Sequence, residues 1–227
     1  MSGRDADGSG VLGQMQSLLT RLYDAPIPQQ VDQYLLTNRT AVAALSKVDE
    51  HSMTDEQVLV VEGSDGVHIG VYIDASVMER LLLHNPLRAL DQHNLADYCT
   101  ALEGVSHFHY LAWSAAQGRP VSLLELELQA EVDKYAGALS LLTAQGQGRF
   151  PTSLHASLFD RVAFSPGLKQ ENLHRYREAH RCAARFCRWL EERFLRARQT
   201  RPEAWLAALR QFHAHRHHDK LRYAAAC

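Results

Sequence analysis

In EGVSHFHYLAW, residues 103–113, a glutamate precedes a histidine by four positions within an otherwise apolar run. On a helix, Glu103 and His107 share one face. A carboxylate and an imidazole placed in this way can hold a divalent cation, or exchange a proton once burial shifts their pKa values. The same pair also fits an ordinary i,i+4 hydrogen bond, because buried polar groups nearly always find partners.

Two further residues join this pair by counting. Segments 94–117, with Asn94 as its N-cap, and 123–144 read as helices, joined by Gln117-Gly118-Arg119-Pro120, a connection short enough to fold them antiparallel. With Arg119 as midpoint, Glu131 falls at the level of His107. Glu131 lies on the stripe of Leu124, Leu128, Tyr135, Ala138 and Leu142, so it should turn inward more than Glu125 or Asp133. His180 sits in the apolar stripe of a long basic helix. Glu103, His107 and Glu131 are therefore the candidate catalytic residues. With His180 they are the candidate ligands of a divalent metal such as Zn, Mn or Fe. Against this, Glu127, Glu131 and Lys134 fit a solvated salt ladder, and His180 fits a core histidine with satisfied hydrogen bonds.

Charge is unevenly spread. Residues 1–168 carry a net −10 and residues 169–227 a net +8, leaving −2 over the whole chain. Within the basic part, Arg177, Arg181, Arg185, Arg188 and Arg196 recur at helical spacing opposite the apolar stripe, with Arg175 beside them. This face could bind an acidic protein partner, a second copy of the chain or an anion. It has no interleaved aromatics on which bases could stack, which disfavours nucleic acid. The alternative is a solvated face that pairs with the acidic N-terminal part. Near the end, His213, His215, His217 and His218 crowd into FHAHRHHDK, which reads as an exposed helix end able to capture metal adventitiously.

Motifs that would fix a reaction do not occur. The chain contains no H-E-x-x-H, no phosphate-binding G-x-x-x-x-G-K and no G-x-S-x-G. Glu-x-x-His, which carboxylate di-iron bundles repeat, is found once, at Glu171 and His174. The four cysteines form no C-x-x-C pair, and Cys182 and Cys187 point to different faces of one helix, so reduced thiols are expected. No apolar run reaches the roughly 18 residues of a membrane span. Residues 1–10 are polar and Gly-rich and read as a tail without the features of a secretion signal. These observations suggest a cytoplasmic protein.

The elements that position the candidates are mainly helical. Leu12, Met15, Leu19 and Leu22 form the stripe of a first helix at 11–23, and Pro28 suits the start of a second running to 45. An antiparallel hairpin over 57–74 turns at Asp65-Gly66, with Val67, Ile69, Val71 and Ile73 on one face and His68 and Tyr72 on the other. A lone hairpin is marginal, so its apolar face must lie on helices. Ser122-x-x-Glu125 reads as a capping box, a short helix follows at 153–164, and helices at 169–198 and from Pro202 complete the chain. The expected fold is mainly α (α+β): one domain over 11–227, a helical bundle with a long αα-hairpin and one β-hairpin. Two functions stay open. One is a non-catalytic binding, assembly or regulatory module using the Arg-rich helix. The other is a metal-dependent or acid–base enzyme whose Glu/His site acts on an anionic small molecule.

Overall fold

The computed structural model describes residues 10–63, 66–146, 151–160, 170–195 and 202–227. Its frame is an antiparallel pair, α4 (Leu95–Ala116) and α5 (Leu123–Gln145), as the short connection requires. α7 (Gln170–Leu190) lies along α5, and α1 (Val11–Tyr23) crosses α4. α6 (Leu154–Phe159), α8 (Pro202–Ala214) and α9 (His217–Ala226) close the remaining sides. α5 is consequently enclosed on all sides, and nearly every residue from Glu125 to Leu139 is buried. One continuous apolar core joins Leu12 and Met15 of α1, Phe108 of α4, Tyr135 of α5 and Phe186 of α7.

A small mixed sheet covers the outer side of α4. β2 (Glu56–Gly63) and β3 (Gly66–Ile73) are antiparallel, and the two-residue β1 (Leu35–Leu36) adds to β3 in parallel, opposite Val71 and Tyr72. Val71 and Ile73 are buried in the main core, which supplies the helices the hairpin needs. Tyr72 was expected on the open face, yet it is also buried. α2 (Arg39–Ser46) covers it with Val42 and Ala43, and Met53 completes this second small core. Arg39 clamps that layer by donating to Asp74 at 2.9 Å and to the Met53 carbonyl at 3.1 Å. α3 (Ala75–Leu83) follows, with the Asp74 carboxylate accepting from the Ser76 amide as its N-cap. At Gly104 a Cβ would come within 3.0 Å of Val71 and 3.1 Å of Glu56. The missing side chain lets the sheet approach α4 closely enough to bring Glu56 to the helix pair.

Four expectations change. The helix expected over 28–45 is a 3-10 turn (Val31–Gln33), β1 and the short α2. Gln16 of α1 holds this stretch extended, donating to the Gln29 carbonyl at 2.7 Å and accepting from the Val31 amide at 2.8 Å. Asn94 stands before α4 without capping it through its side chain. Its amide instead ties the preceding loop, donating to the His84 and Ala89 carbonyls. Ser122 does cap α5, but Glu125 does not return the bond, because its carboxylate accepts from the Tyr110 hydroxyl at 2.6 Å. The final helix is two, α8 and α9, broken at His215 and Arg216. Ser64 and Asp65 of the expected turn lie outside the described residues, as do 1–9, 147–150, 161–169 and Arg196.

The tightness of the α4–α5 interface carries a prediction. A Cβ on Gly137 would meet the Tyr98 hydroxyl at 2.6 Å and Leu102 at 3.1 Å, and both of those side chains are fully buried. Gly137→Ala is expected to lower stability by about 1–3 kcal/mol, because the added methyl overpacks a rigid seam. Urea unfolding would read this directly, and an unchanged midpoint would contradict it.

Candidate functional site

His107 stands at the meeting of α4, α5 and β2, almost wholly buried. Its Nδ1 lies 3.4 Å from Glu56 Oε1 on β2, and its Nε2 lies 3.6 Å from Glu127 Oε2 on α5. Both distances exceed a good hydrogen bond, and among the described residues His107 Nε2 and Glu56 Oε1 have no hydrogen-bond partner. One turn up α4, Glu103 completes a trio. Potential ligand atoms of Glu103, His107 and Glu127 all lie within 4.8 Å of one another.

Two cations border the trio. Arg175 of α7 approaches Glu127 at 3.7 Å, and Lys134 of α5 donates to Glu103 at 3.1 Å while pairing with Glu131. Burial alone would lower the His107 pKa, but Glu127 and Glu56 outweigh it and raise it well above the usual imidazole range. Burial raises Glu56, against the pull of His107. Lys134 is likewise raised, since Glu103 and Glu131 overcome its desolvation. That shift favours an imidazolium held between the Glu56 and Glu127 carboxylates.

The candidates are thus only partly together. Glu103 and His107 meet, but the residue facing His107 across the hairpin is Glu127, one turn from Glu131. Glu131 accepts from His180 Nδ1 at 2.8 Å, while His180 Nε2 donates to the Phe159 carbonyl at 3.1 Å. With both ring nitrogens donating, His180 is charged, and its pKa is raised because Glu131 outweighs its desolvation. Desolvation would raise Glu131, but Lys134 and His180 hold it down at about 2. Among the described residues, Lys134 links this second pair to the first site through Glu131 and Glu103.

The arginine stripe divides as well. Arg177 and Arg181 are exposed. Arg185 donates to the Ala225 carbonyl at 3.1 Å, and Arg188 donates to His155 Nδ1 at 3.0 Å. In the histidine tract His213 is buried rather than exposed, stacked on Tyr23, and its pKa is lowered chiefly by desolvation.

No known protein family, curated protein or solved structure matches this chain. A second buried polar centre occupies the opposite side of the helix pair. Asp133 accepts from the Tyr23 hydroxyl, from Ser106 Oγ at 2.6 Å and from Gln129 Nε2 at 2.7 Å. Lys220 of α9, fully buried, donates to the Tyr110 hydroxyl at 2.8 Å and to Gln129 Oε1 at 2.6 Å. Desolvation pushes Asp133 up to about 6 and Lys220 down to about 7.

Sequence reasoning missed Glu56, Glu125, Glu127, Asp133 and Lys220 as inward-facing groups, and it ranked the half-buried Glu131 ahead of Glu125 and Asp133, which are both buried. A signal was present for three of them. In ELELQAEVDK, residues 125–134, polar groups recur at almost every second position, and at 100° per residue they cannot share one solvent face. Lys220 and Glu56 carry no such mark.

Proposed function

We propose that this chain is a metal-dependent helical protein in which Glu103, His107 and Glu127 hold one divalent cation and act on a small anionic molecule. The observation that carries this reading is the buried His107 Nε2, without a hydrogen-bond partner among the described residues and with two carboxylates within ligand reach. Glu56, 3.4 Å from Nδ1, is placed to form the carboxylate–histidine arrangement that would orient the ring and raise its basicity toward a metal. The donor set of oxygen and imidazole nitrogen suits Zn, Mn or Fe.

Charge points to the substrate class. Glu56, Glu103, Glu127 and Glu131 gather with Lys134, Arg175, His107 and His180, a group that is neutral when all four carboxylates are ionised and both histidines protonated. A divalent ion replacing the His107 proton leaves one surplus positive charge, which hydroxide or an anionic substrate group would neutralise. Glu103 and Arg175 keep partly exposed side chains and form the open side of the group. On that side a bound ion could polarise a substrate oxygen or lower the pKa of a water.

The experiment is metal analysis of untagged protein, followed by calorimetric titration with Zn²⁺, Mn²⁺ and Fe²⁺. Saturation at about one ion per chain is expected, lost in Glu103→Ala and His107→Ala. No saturable binding by any of the three ions overturns the reading.

A second reading, a binding or assembly module, rests on Arg177 and Arg181, exposed on the outer face of α7. It predicts that Arg177→Glu with Arg181→Glu abolishes association with an acidic protein partner or a second copy, with stability within about 0.5 kcal/mol of the parent. Light scattering across a salt series checks self-association, and an unchanged mass profile removes that form of the reading. Among the described residues no helix is long and apolar enough to cross a membrane. The four cysteines, none in a disulfide, support a cytoplasmic setting.

A further inference from the structure

Lys220 is a lysine with no exposed surface, contributed by the last helix of the described chain. It does not sit in a simple ion pair. Its Nζ stands 4.1 Å from the centroid of the Tyr110 ring and 4.9 Å from that of Phe212. Its hydrogen bonds go to Tyr110 and Gln129, and each of these passes the bond on to a carboxylate. The Tyr110 hydroxyl donates to Glu125 at 2.6 Å, and Gln129 Nε2 donates to Asp133 at 2.7 Å. The receptor comprises two aromatic faces, two oriented acceptors and two carboxylates behind them. It is built from α4, α5 and α8, and α9 contributes only the amine. This is the chemistry that recognises a primary alkylamine.

The rest of α9 packs through Ala224 in the main core and through Tyr223 against Phe186 and Trp189, and hydrogen bonds hold its two ends. Arg119, in the α4–α5 turn, donates to the His215 carbonyl at 3.2 Å, just before α9 begins. Arg185 of α7 donates to the Ala225 carbonyl at 3.1 Å, in its last turn. We propose that the cage of Tyr110, Phe212, Gln129, Glu125 and Asp133 is a primary-amine site that the chain fills with its own Lys220, making α9 a latch keyed by that amine. The proposal stands independently of the metal centre, whose residues it does not use.

Deleting the key tests it. Lys220→Ala removes the butylamine side chain, and n-butylammonium restores the missing piece. Thermal unfolding of the full-length wild-type and variant chains is compared in n-butylammonium chloride, in sodium chloride of equal ionic strength, and in n-butanol. The variant should recover at least half of its lost Tm with n-butylammonium and little with n-butanol, while the wild type is unmoved. Equal recovery with n-butanol means that the cage reads only volume, and no recovery with either means that it is no ligand site; both overturn the proposal.

A second variant covers the case in which Lys220→Ala does not fold. Gln129→Met keeps the side-chain volume and removes the acceptor. Amide hydrogen exchange in residues 217–226 should then accelerate at least tenfold while that of α1 stays unchanged. Unaltered protection of α9 refutes the latch.

Discussion

Glu127→Gln is expected to weaken divalent-cation binding by about 100-fold or more, and Glu56→Gln by about 10–100-fold. The ranking follows from position, since Glu127 would touch the ion whereas Glu56 acts through His107 Nδ1, and orienting partners of that kind are worth about 10–100-fold. Both substitutions preserve shape, so circular dichroism should be unchanged. The pH dependence provides a sharper test. Glu127 and Glu56 raise the His107 pKa against desolvation, which favours its protonated form in the metal-free protein. The ion must displace that proton, so affinity should rise about tenfold per pH unit between pH 6 and 8, with about one proton released per ion bound. Calorimetry in buffers of different ionisation enthalpy measures that proton. Binding that is independent of pH, or equal in all three proteins, rejects His107 as the ligand.

The largest effect on stability is expected at Asp133. Replacing it with Ala strands the Tyr23 hydroxyl, Ser106 Oγ and the Gln129 amide in a dry site. Buried groups left without partners cost about 1–3 kcal/mol each, so a loss of about 3 kcal/mol or more is expected. For a chain of this size that lowers Tm by about 6–12 °C. Asp133→Asn keeps the shape and one acceptor oxygen and should lose less.

Wild type and Asp133→Asn also separate in pH. Asp133 is raised to about 6 in the fold, from about 3.9 in an unfolded chain. Its contribution is therefore complete below about pH 4 and is lost as pH rises through about 6, on the order of 3 kcal/mol in all. Lys220 acts in a different window. Its folded value near 7 lies below the unfolded value, so its contribution is complete only at high pH and is lost as pH falls through about 7. From pH 4 to 6 the wild type should thus lose Tm relative to Asp133→Asn. Parallel profiles would mean that Asp133 titrates normally.

The local elements were readable wherever a single periodicity or turn decided them. The stripe of Leu12, Met15 and Leu19 gives α1, and Val71 and Ile73 alternate as a buried strand must. The first part of the stretch 28–45 misled because its partners are remote: Gln16 holds Gln29 and Val31, the edge of β3 holds Leu35 and Leu36, and neither lies within its own window. Glu103 and His107 were identifiable as a pair because their spacing is a property of one helix. Glu127 was not, because choosing it over Glu131 depends on where α7 presents His180 and Arg175.

By itself, then, the sequence determined the αα-hairpin, the β-hairpin and the shared face of Glu103 and His107. These depend on interactions between residues close in the chain, which backbone geometry fixes. Tertiary structure alone decided that α5 has no solvent face, that Glu56 crosses from the sheet to His107, and that Lys220 enters the core. Burial of a charge depends on what surrounds a helix on every side, and that is settled only when distant segments pack.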